Sequence, residues 1–227
     1  MPGGAPIPAV SVVIPTLDAA PLLPGTLASL GLIGPGGIEV IVADGRSLDA
    51  TRDVARAHGA QVVEAPRGRG RQLAAGARAA SGEWLLFLHA DTALEAGWRE
   101  ALPLADPGLA FHFTFALDDP SPAARRLERR VAWRCRWLGL PYGDQGLLIS
   151  RALHDRLGGF TPVRLMEDVD FVARIGRARL RTLPARAVTS AARWRQGGWR
   201  RRSARNLAIL ALWLAGVPAA ALARLYR

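Results

Sequence analysis

"LLFLHADT", residues 85–92, joins four large apolar side chains to a histidine, an alanine, an aspartate and a threonine. Leu85, Leu86, Phe87 and Leu88 have no polar residue among them. Such a run predicts a strand buried on both faces, as in a parallel sheet. Its polar end puts an imidazole and a carboxylate where the strand stops, so that end is where chemistry is expected.

The sequence upstream repeats the same alternation. "VSVVIPT" (10–16), "IEVIVADG" (38–45) and "QVVEAP" (61–66) read as further buried strands, and "EWLLFLH" (83–89) as the fourth. Between them lie the helical patterns "LLPGTLASL" (22–30), "DATRDVARAHG" (49–59) and "RGRQLAAGARAASG" (69–82). Asp49 is expected as an N-cap, Gly59 as the residue after a C-cap, and Gly82 as the close of the third helix. This βαβαβαβ rhythm predicts an α/β, Rossmann-like, mostly parallel sheet with helices on both faces. Beyond residue 91 the pattern is mixed: strands at 109–117 and 146–150, a long basic helix at 121–139, and helices at 151–160 and 167–177.

The chain has 227 residues, half of them hydrophobic, which suffices for one sizeable core. A single cysteine, Cys135, excludes an intramolecular disulfide and a cysteine zinc cluster, and it suits a reducing compartment. The N-terminal "MPGGAPIPAVSVVIPT" shows no secretory pattern. All 30 basic residues are Arg, and 13 of them lie between Phe171 and Arg227, where there is no Asp or Glu. That imbalance favours anionic partners: a phosphorylated substrate, a membrane surface or nucleic acid. Nucleic acid is disfavoured because the arginines are not interleaved with stacking aromatics. The apolar run Leu207–Ala223 is interrupted by Gly216-Val217-Pro218 and predicts two helices rather than a membrane span. Residues 1–198 are read as one domain. Residues 199–227 are read as a basic and apolar helical extension packed on it, on a second subunit of a homodimer, or on a membrane surface.

In a parallel α/β sheet, ligands gather at the carboxyl ends of the strands. There the sequence places Pro15, Thr16 and Asp18; Asp44 and Arg46; the loop Gly68-Arg69-Gly70-Arg71; and His89, Ala90 and Asp91. Carboxylates can bind a base, sugar hydroxyls or a divalent cation, and arginines with loop amides can neutralise phosphate. Together they suggest a nucleoside diphosphate bound with a metal. "GRGRQL" lacks the third glycine of a dinucleotide fingerprint and follows the wrong strand, which argues against a dehydrogenase. Without lysine the usual phosphate-binding loop is impossible. Downstream, "PYGDQG" sets Tyr142, Gly143, Asp144 and Gln145 on a turn, and "LMEDVDF" sets Glu167 and Asp168 at a helix start, where acids also suit the macrodipole.

The ordered motifs "SVVIPTLDAAPLLPGTLASL", "EVIVADGRSLDAT", "GRGRQLAAGARAASGEWLLFLHADT", "GLLISRALHDRLGGF" and "MEDVDFVARI" resemble a family 2 glycosyltransferase of GT-A fold over about residues 10 to 195. More narrowly, "FLHADT", "PYGDQG" and "LMEDVDF" resemble a small bacterial subgroup labelled arsenosugar-biosynthesis glycosyltransferases. The resemblance implies roles. Pro15, Thr16, Asp18, Asp44, Arg46, Arg71, Ala90 and Asp91 would meet the nucleotide, with Asp44 on a base that is typically uracil. Asp91 would reach a Mn²⁺ or Mg²⁺ ion bridging the diphosphate. Asp168, with Glu167 beside it, would be the catalytic base. Tyr142, Gly143, Asp144, Gln145, Arg193 and Trp194 would shape the sugar or acceptor pocket. His89 stands where the family has the first Asp of Asp-x-Asp, so one carboxylate remains, and His89 is read as a packing residue. The implied reaction is inverting, metal-assisted transfer from a nucleotide-diphosphate sugar in the cytoplasm, peripheral to the membrane's inner face. The rival readings are a nucleotidyltransferase and a nucleotide-sugar-binding protein with degenerate catalysis.

Overall fold

A computed structural model describes residues 10–31, 33–34, 37–102, 106–163 and 165–225. The expectation about an N-terminal leader falls on residues 1–9, outside the described residues.

The four apolar runs form parallel strands: β1 (Val10–Thr16), β2 (Glu39–Asp44), β3 (Gln61–Glu64) and β4 (Trp84–Phe87), in the order β3-β2-β1-β4. Each strand feeds one face and then the other. Val12, Ile14, Val40, Val42 and Leu86 pack with α1 (Leu23–Ser29) and α2 (Thr51–Ala57), whereas Val13, Ile41, Leu85 and Phe87 pack with α3 (Arg69–Ala79). That two-sided burial is why the strands read as unbroken apolar runs. The backbone of α3 rests directly on β1: a Cβ at Gly76 would fall 2.3 Å from the Val13 side chain. The register sets Thr16 opposite Asp44, so both strands end level at the carboxyl edge.

The sheet continues past β4 with β7 (Leu147–Ser150), β6 (Ala110–Leu117), β8 (Leu180–Thr189) and β5 (Thr92–Leu94). β7 runs antiparallel to both β4 and β6; β8 is parallel to β6 and antiparallel to β5. The sheet is therefore parallel in its first half and mixed in its second. β8 and β5 have no counterpart in the sequence reading. β8 is "LRTLPARAVT", whose inward positions include the small Ala185 and Ala187, and Pro184 sits where the pairing with β6 slips. A proline lacks the ladder donor and is tolerated at such an irregularity.

Helices α5 (Arg151–Arg156) and α6 (Glu167–Ile175) cover the α3 face. Phe87, Phe160 and Phe171 pack there edge-to-face and tilted, with ring centroids 4.7 and 4.5 Å apart, and fix α6 against the end of β4. Helix α4 (Pro122–Leu138) packs on β6 through Ala124 and Val131. The C-terminal run divides as read: α7 (Ala192–Gly197) is followed by α8 (Trp199–Leu214), Gly216 turns at φ +84°, and α9 (Ala219–Leu225) follows. No helix among the described residues is long and apolar enough to cross a membrane.

Two local expectations need correction. Ala50, not Asp49, is the N-cap of α2; Asp49 instead accepts the Thr51 N–H (3.0 Å) and that of Ala20 (3.0 Å), turning the chain just before the helix. Gly82 does not close α3. The helix stops at Ala79 because Ala80 is already extended, and Gly82 donates its N–H to Ser11 Oγ (2.7 Å). Gly59 does follow the α2 C-cap, at φ +82°.

Candidate active site

Three segments meet beyond the carboxyl end of β4. The first is His89-Ala90-Asp91. Leu88 N–H still bonds Val13 O (3.0 Å), after which the chain turns away. Thr26 Oγ1 donates to Ala90 O (2.9 Å) and Ser190 N–H to Asp91 O (3.0 Å), so the backbone of this segment is clamped from α1 and from the end of β8. The Asp91 side chain is 12% exposed, and its nearest charged partner is Arg193, at 3.9 Å.

The second segment is the 3₁₀ turn Gly143–Gln145. Gln145, 1% exposed, accepts Tyr142 N–H and the Cys135 thiol and donates to Phe113 O, which nails the turn to β6 and α4. Arg134 lies flat on the Tyr142 ring, 3.5 Å from its centroid. The third segment is the N-terminus of α6, entered through Met166 at φ +66°. Asp168 joins the two: its carboxylate accepts Gly143 N–H (2.9 Å) and Val169 N–H (2.8 Å).

The result is a cleft lined by Asp91, Asp144, Asp168, Arg69, His89, Tyr142, Arg193 and Trp194. Its electrostatics follow from crowding unlike and like charges at low solvent access. Burial, with Asp168 and Asp91 adding repulsion against the pull of Arg134, pushes the Asp144 carboxyl up to about 6. Asp144 Oδ1 is buried with no hydrogen-bond partner among the described residues. Burial opposes the Arg69 charge, but Glu167, Asp168 and Asp91 outweigh it and hold the guanidinium protonated more firmly than usual. Glu167, 2% exposed, pairs with Arg69 at 3.2 Å; burial nonetheless raises its pKa. His89 is driven well below the ordinary histidine range by burial and by Arg69 and Arg193, so it is neutral near pH 7. Its Nε2 lies against Gly143, where a Cβ would come within 2.5 Å.

The family described as "Glycosyl transferase family 2" matches residues 11–163, well over half of the chain. The chain belongs to glycosyl transferase family 2. An uncharacterized glycosyltransferase of Mycobacterium tuberculosis is 41% identical over 90 residues, 39% of each chain. A PGL/p-HBAD biosynthesis glycosyltransferase of the same species is 35% identical over 94 residues, 38% of this chain and 37% of that one. This chain thus spans well under half the length of these relatives. A mannosyltransferase from Pyrobaculum calidifontis, solved with GDP-Man and Mn²⁺, superposes with a TM-score of 0.68 at 26% identity, over 88% of this chain and 62% of that one. A glucosyl-3-phosphoglycerate synthase from M. tuberculosis, solved with Mn²⁺, UDP and glucosyl-3-phosphoglycerate, shares the fold: TM-score 0.58, 22% identity, over 93% of this chain and 81% of that one.

In this family 2 chain the sequence-derived residues divide by position. Asp91, Tyr142, Asp144, Asp168, Arg193 and Trp194 face the cleft, with Gly143 beneath His89. Glu167 and Gln145 sit behind it, one holding Arg69 and the other holding the turn. Pro15, Thr16, Asp18, Asp44 and Arg46 gather at the ends of β1 and β2. Asp44 is fully buried and accepts Thr16 Oγ1 (3.1 Å) and Ser47 N–H (2.9 Å). Asp18, at φ +49°, accepts Leu48 N–H (2.8 Å) and stitches the two loops together. Arg46, at φ +66°, pairs with Glu64 at the surface (3.1 Å). Arg71 lies apart from the cleft, in a recess with Arg67, Pro162, Val163 and Arg224.

The reading of the sequence put Arg69 in the loop at the ligand edge but chose Arg71 from it; Arg69, two positions away and hence on another side of α3, is the one in the cleft. It missed other residues around the site. Gln72, 5% exposed, donates from its amide to both Thr16 O and Ala43 O and so ties α3 to the ends of β1 and β2. Thr189 and Ser190 belong to or follow the unforeseen β8, and Arg202, Asn206 and Ile209 bring α8 into the wall.

A divalent cation fits this chain only with help from its substrate. Among the described residues no three His, Cys, Asp or Glu side chains converge as a metal site. Asp91 presents a carboxylate, and the unpartnered Asp144 Oδ1 marks a second oxygen in the same cleft. Mg²⁺ and Mn²⁺ commonly complete their shells with phosphate oxygens and water.

Proposed function

We propose that this chain transfers a sugar from a nucleotide-diphosphate sugar to an acceptor, with inversion at the anomeric carbon. The observation that carries this reading is the convergence of Asp91, Asp144 and Asp168 with Arg69 and Arg193 in one cleft beyond the carboxyl end of β4. The base and ribose lie over the ends of β1 and β2, where Pro15, Thr16, Asp18, Asp44 and Arg46 border them and Ala90 continues the edge. Arg71, in its own recess at the opening of α3, is left outside this arrangement. The diphosphate reaches Asp91 and the arginines of the cleft. A Mn²⁺ or Mg²⁺ ion held by Asp91 would neutralise the leaving diphosphate. UDP is the proposed nucleotide on the resemblance of the Asp44 position; the solved relatives hold both GDP-Man and UDP.

Asp168 is the proposed base. Two backbone N–H groups fix its carboxylate at the cleft, ready to take the acceptor's proton as the acceptor attacks opposite the leaving group. Arg69 and Glu167 hold the first turns of α3 and α6 together behind it. Tyr142, Asp144, Arg193 and Trp194 border the space left for sugar and acceptor.

The test is a thermal-shift and calorimetric panel of UDP, GDP and their sugars, with and without Mn²⁺. The reading expects a nucleoside diphosphate to bind with Mn²⁺ and the Mn²⁺-dependent gain to vanish in Asp91→Asn. No binding under any condition would overturn it.

A further inference from the structure

Helix α4 presents an outward face that the active site does not use. Arg126, Arg129, Arg130, Trp133, Arg136 and Trp137 are all exposed, and their spacing of three, four and seven residues puts them along one side of the helix. Trp133 and Trp137 are 58% and 55% exposed, whereas Trp84 and Trp98 are 6% and 3% exposed in the core. The opposite side, with Ala124 and Val131, is already packed on β6. The face carries no carboxylate. Glu128, the one acid on α4, is 15% exposed and turns inward to Arg125 (2.7 Å) and Leu117 N–H (2.9 Å). Arg125 and Arg134, the arginines of α4 that do face the protein, are taken up, the first by Glu128, Leu117 O and Asp119 O and the second by Tyr142 and Leu140 O.

We infer that this face of α4 docks the protein on an anionic lipid surface. Indole rings with an apolar body and a polar N–H favour the boundary between headgroups and acyl chains. Arginines beside them are drawn to anionic headgroups, each by roughly fivefold in affinity. A second copy of this chain is a poor occupant: a two-fold interface brings a patch onto itself, here four arginines against four. The two indoles lie one turn apart on the side of a helix, suited to shallow insertion rather than to a stacking platform for bases.

The experiment is vesicle flotation of the full chain with phosphatidylcholine alone and with phosphatidylcholine mixed with phosphatidylglycerol. Binding is expected on the mixed vesicles only and should weaken as salt is raised. R126Q/R129Q/R130Q is expected to lose about 100-fold in partitioning, and W133S/W137S to lose most of the binding that persists at high salt. Both variants change exposed side chains, and unchanged thermal midpoints and nucleotide binding would verify the fold. The inference is overturned if wild type fails to float, if it binds both vesicle types equally, or if both variants float like wild type. Salt-sensitive binding to a single-stranded RNA probe, with no binding to vesicles, would overturn it in favour of nucleic acid.

Discussion

Replacing Asp144 with Asn isolates the charge crowding that defines the cleft. In the folded chain burial holds this carboxyl at about 6; unfolded, it titrates near 3.9. The native state therefore binds the proton more tightly, and stability falls as pH rises through that interval. Two pKa units at about 1.36 kcal/mol each give at most about 2.7 kcal/mol, and the partial exposure of the residue brings this to about 2 kcal/mol. Below about pH 3 both states are protonated and the penalty is absent; above about pH 7 it is complete. Asp144→Asn removes it without breaking a side-chain bond at Oδ1, which has no partner among the described residues. Urea denaturation of both proteins from pH 4 to pH 8 measures the difference. The variant's relative stability should climb by about 2 kcal/mol across that range, on top of any constant offset. A difference independent of pH would refute the assignment of a raised pKa to Asp144.

Arg69→Met leaves Glu167 buried without its cation and should cost about 2 kcal/mol by urea denaturation, less than a sealed pair because Arg69 is 42% exposed. The loss should deepen as pH rises, since Glu167 then ionises unpaired, and Arg69→Met/Glu167→Gln should recover most of it. Gly143→Ala drives a Cβ to 2.5 Å from His89 Nε2, and the displaced imidazole should cost about 1–3 kcal/mol by the same assay. Adding His89→Ala should restore much of that stability.

The first half of the fold was legible because its inner strands β1, β2 and β4 are buried on both faces and mostly apolar, the edge strand β3 keeps Val62 and Val63 between exposed Gln61 and Glu64, and the helices between them carry their own period. β8 was hidden because its inward positions use small alanines and its outward ones arginines, with Pro184 in the middle. Asp91, Asp144 and Asp168 were legible as acids at strand ends, at a turn and at a helix start. Their mutual approach was not, because it depends on β7 running antiparallel beside β4 and on Phe87, Phe160 and Phe171 holding α6 in place. Arg69 and Arg71 look equivalent in "GRGR"; only the 3.2 Å contact with Glu167 separates them. Asp44 has an internal role the sequence does not reveal, since its oxygens already bind Thr16 and Ser47.

On the proposed reading Asp168 takes the acceptor's proton, and Asp168→Asn removes that capacity while keeping the size of the side chain. Release of nucleoside diphosphate from UDP- and GDP-sugars with Mn²⁺ should fall by about 100-fold or more in kcat, while affinity for the nucleoside diphosphate stays within about twofold of wild type. Turnover close to wild type, or nucleotide binding lost in step with turnover, would contradict the account.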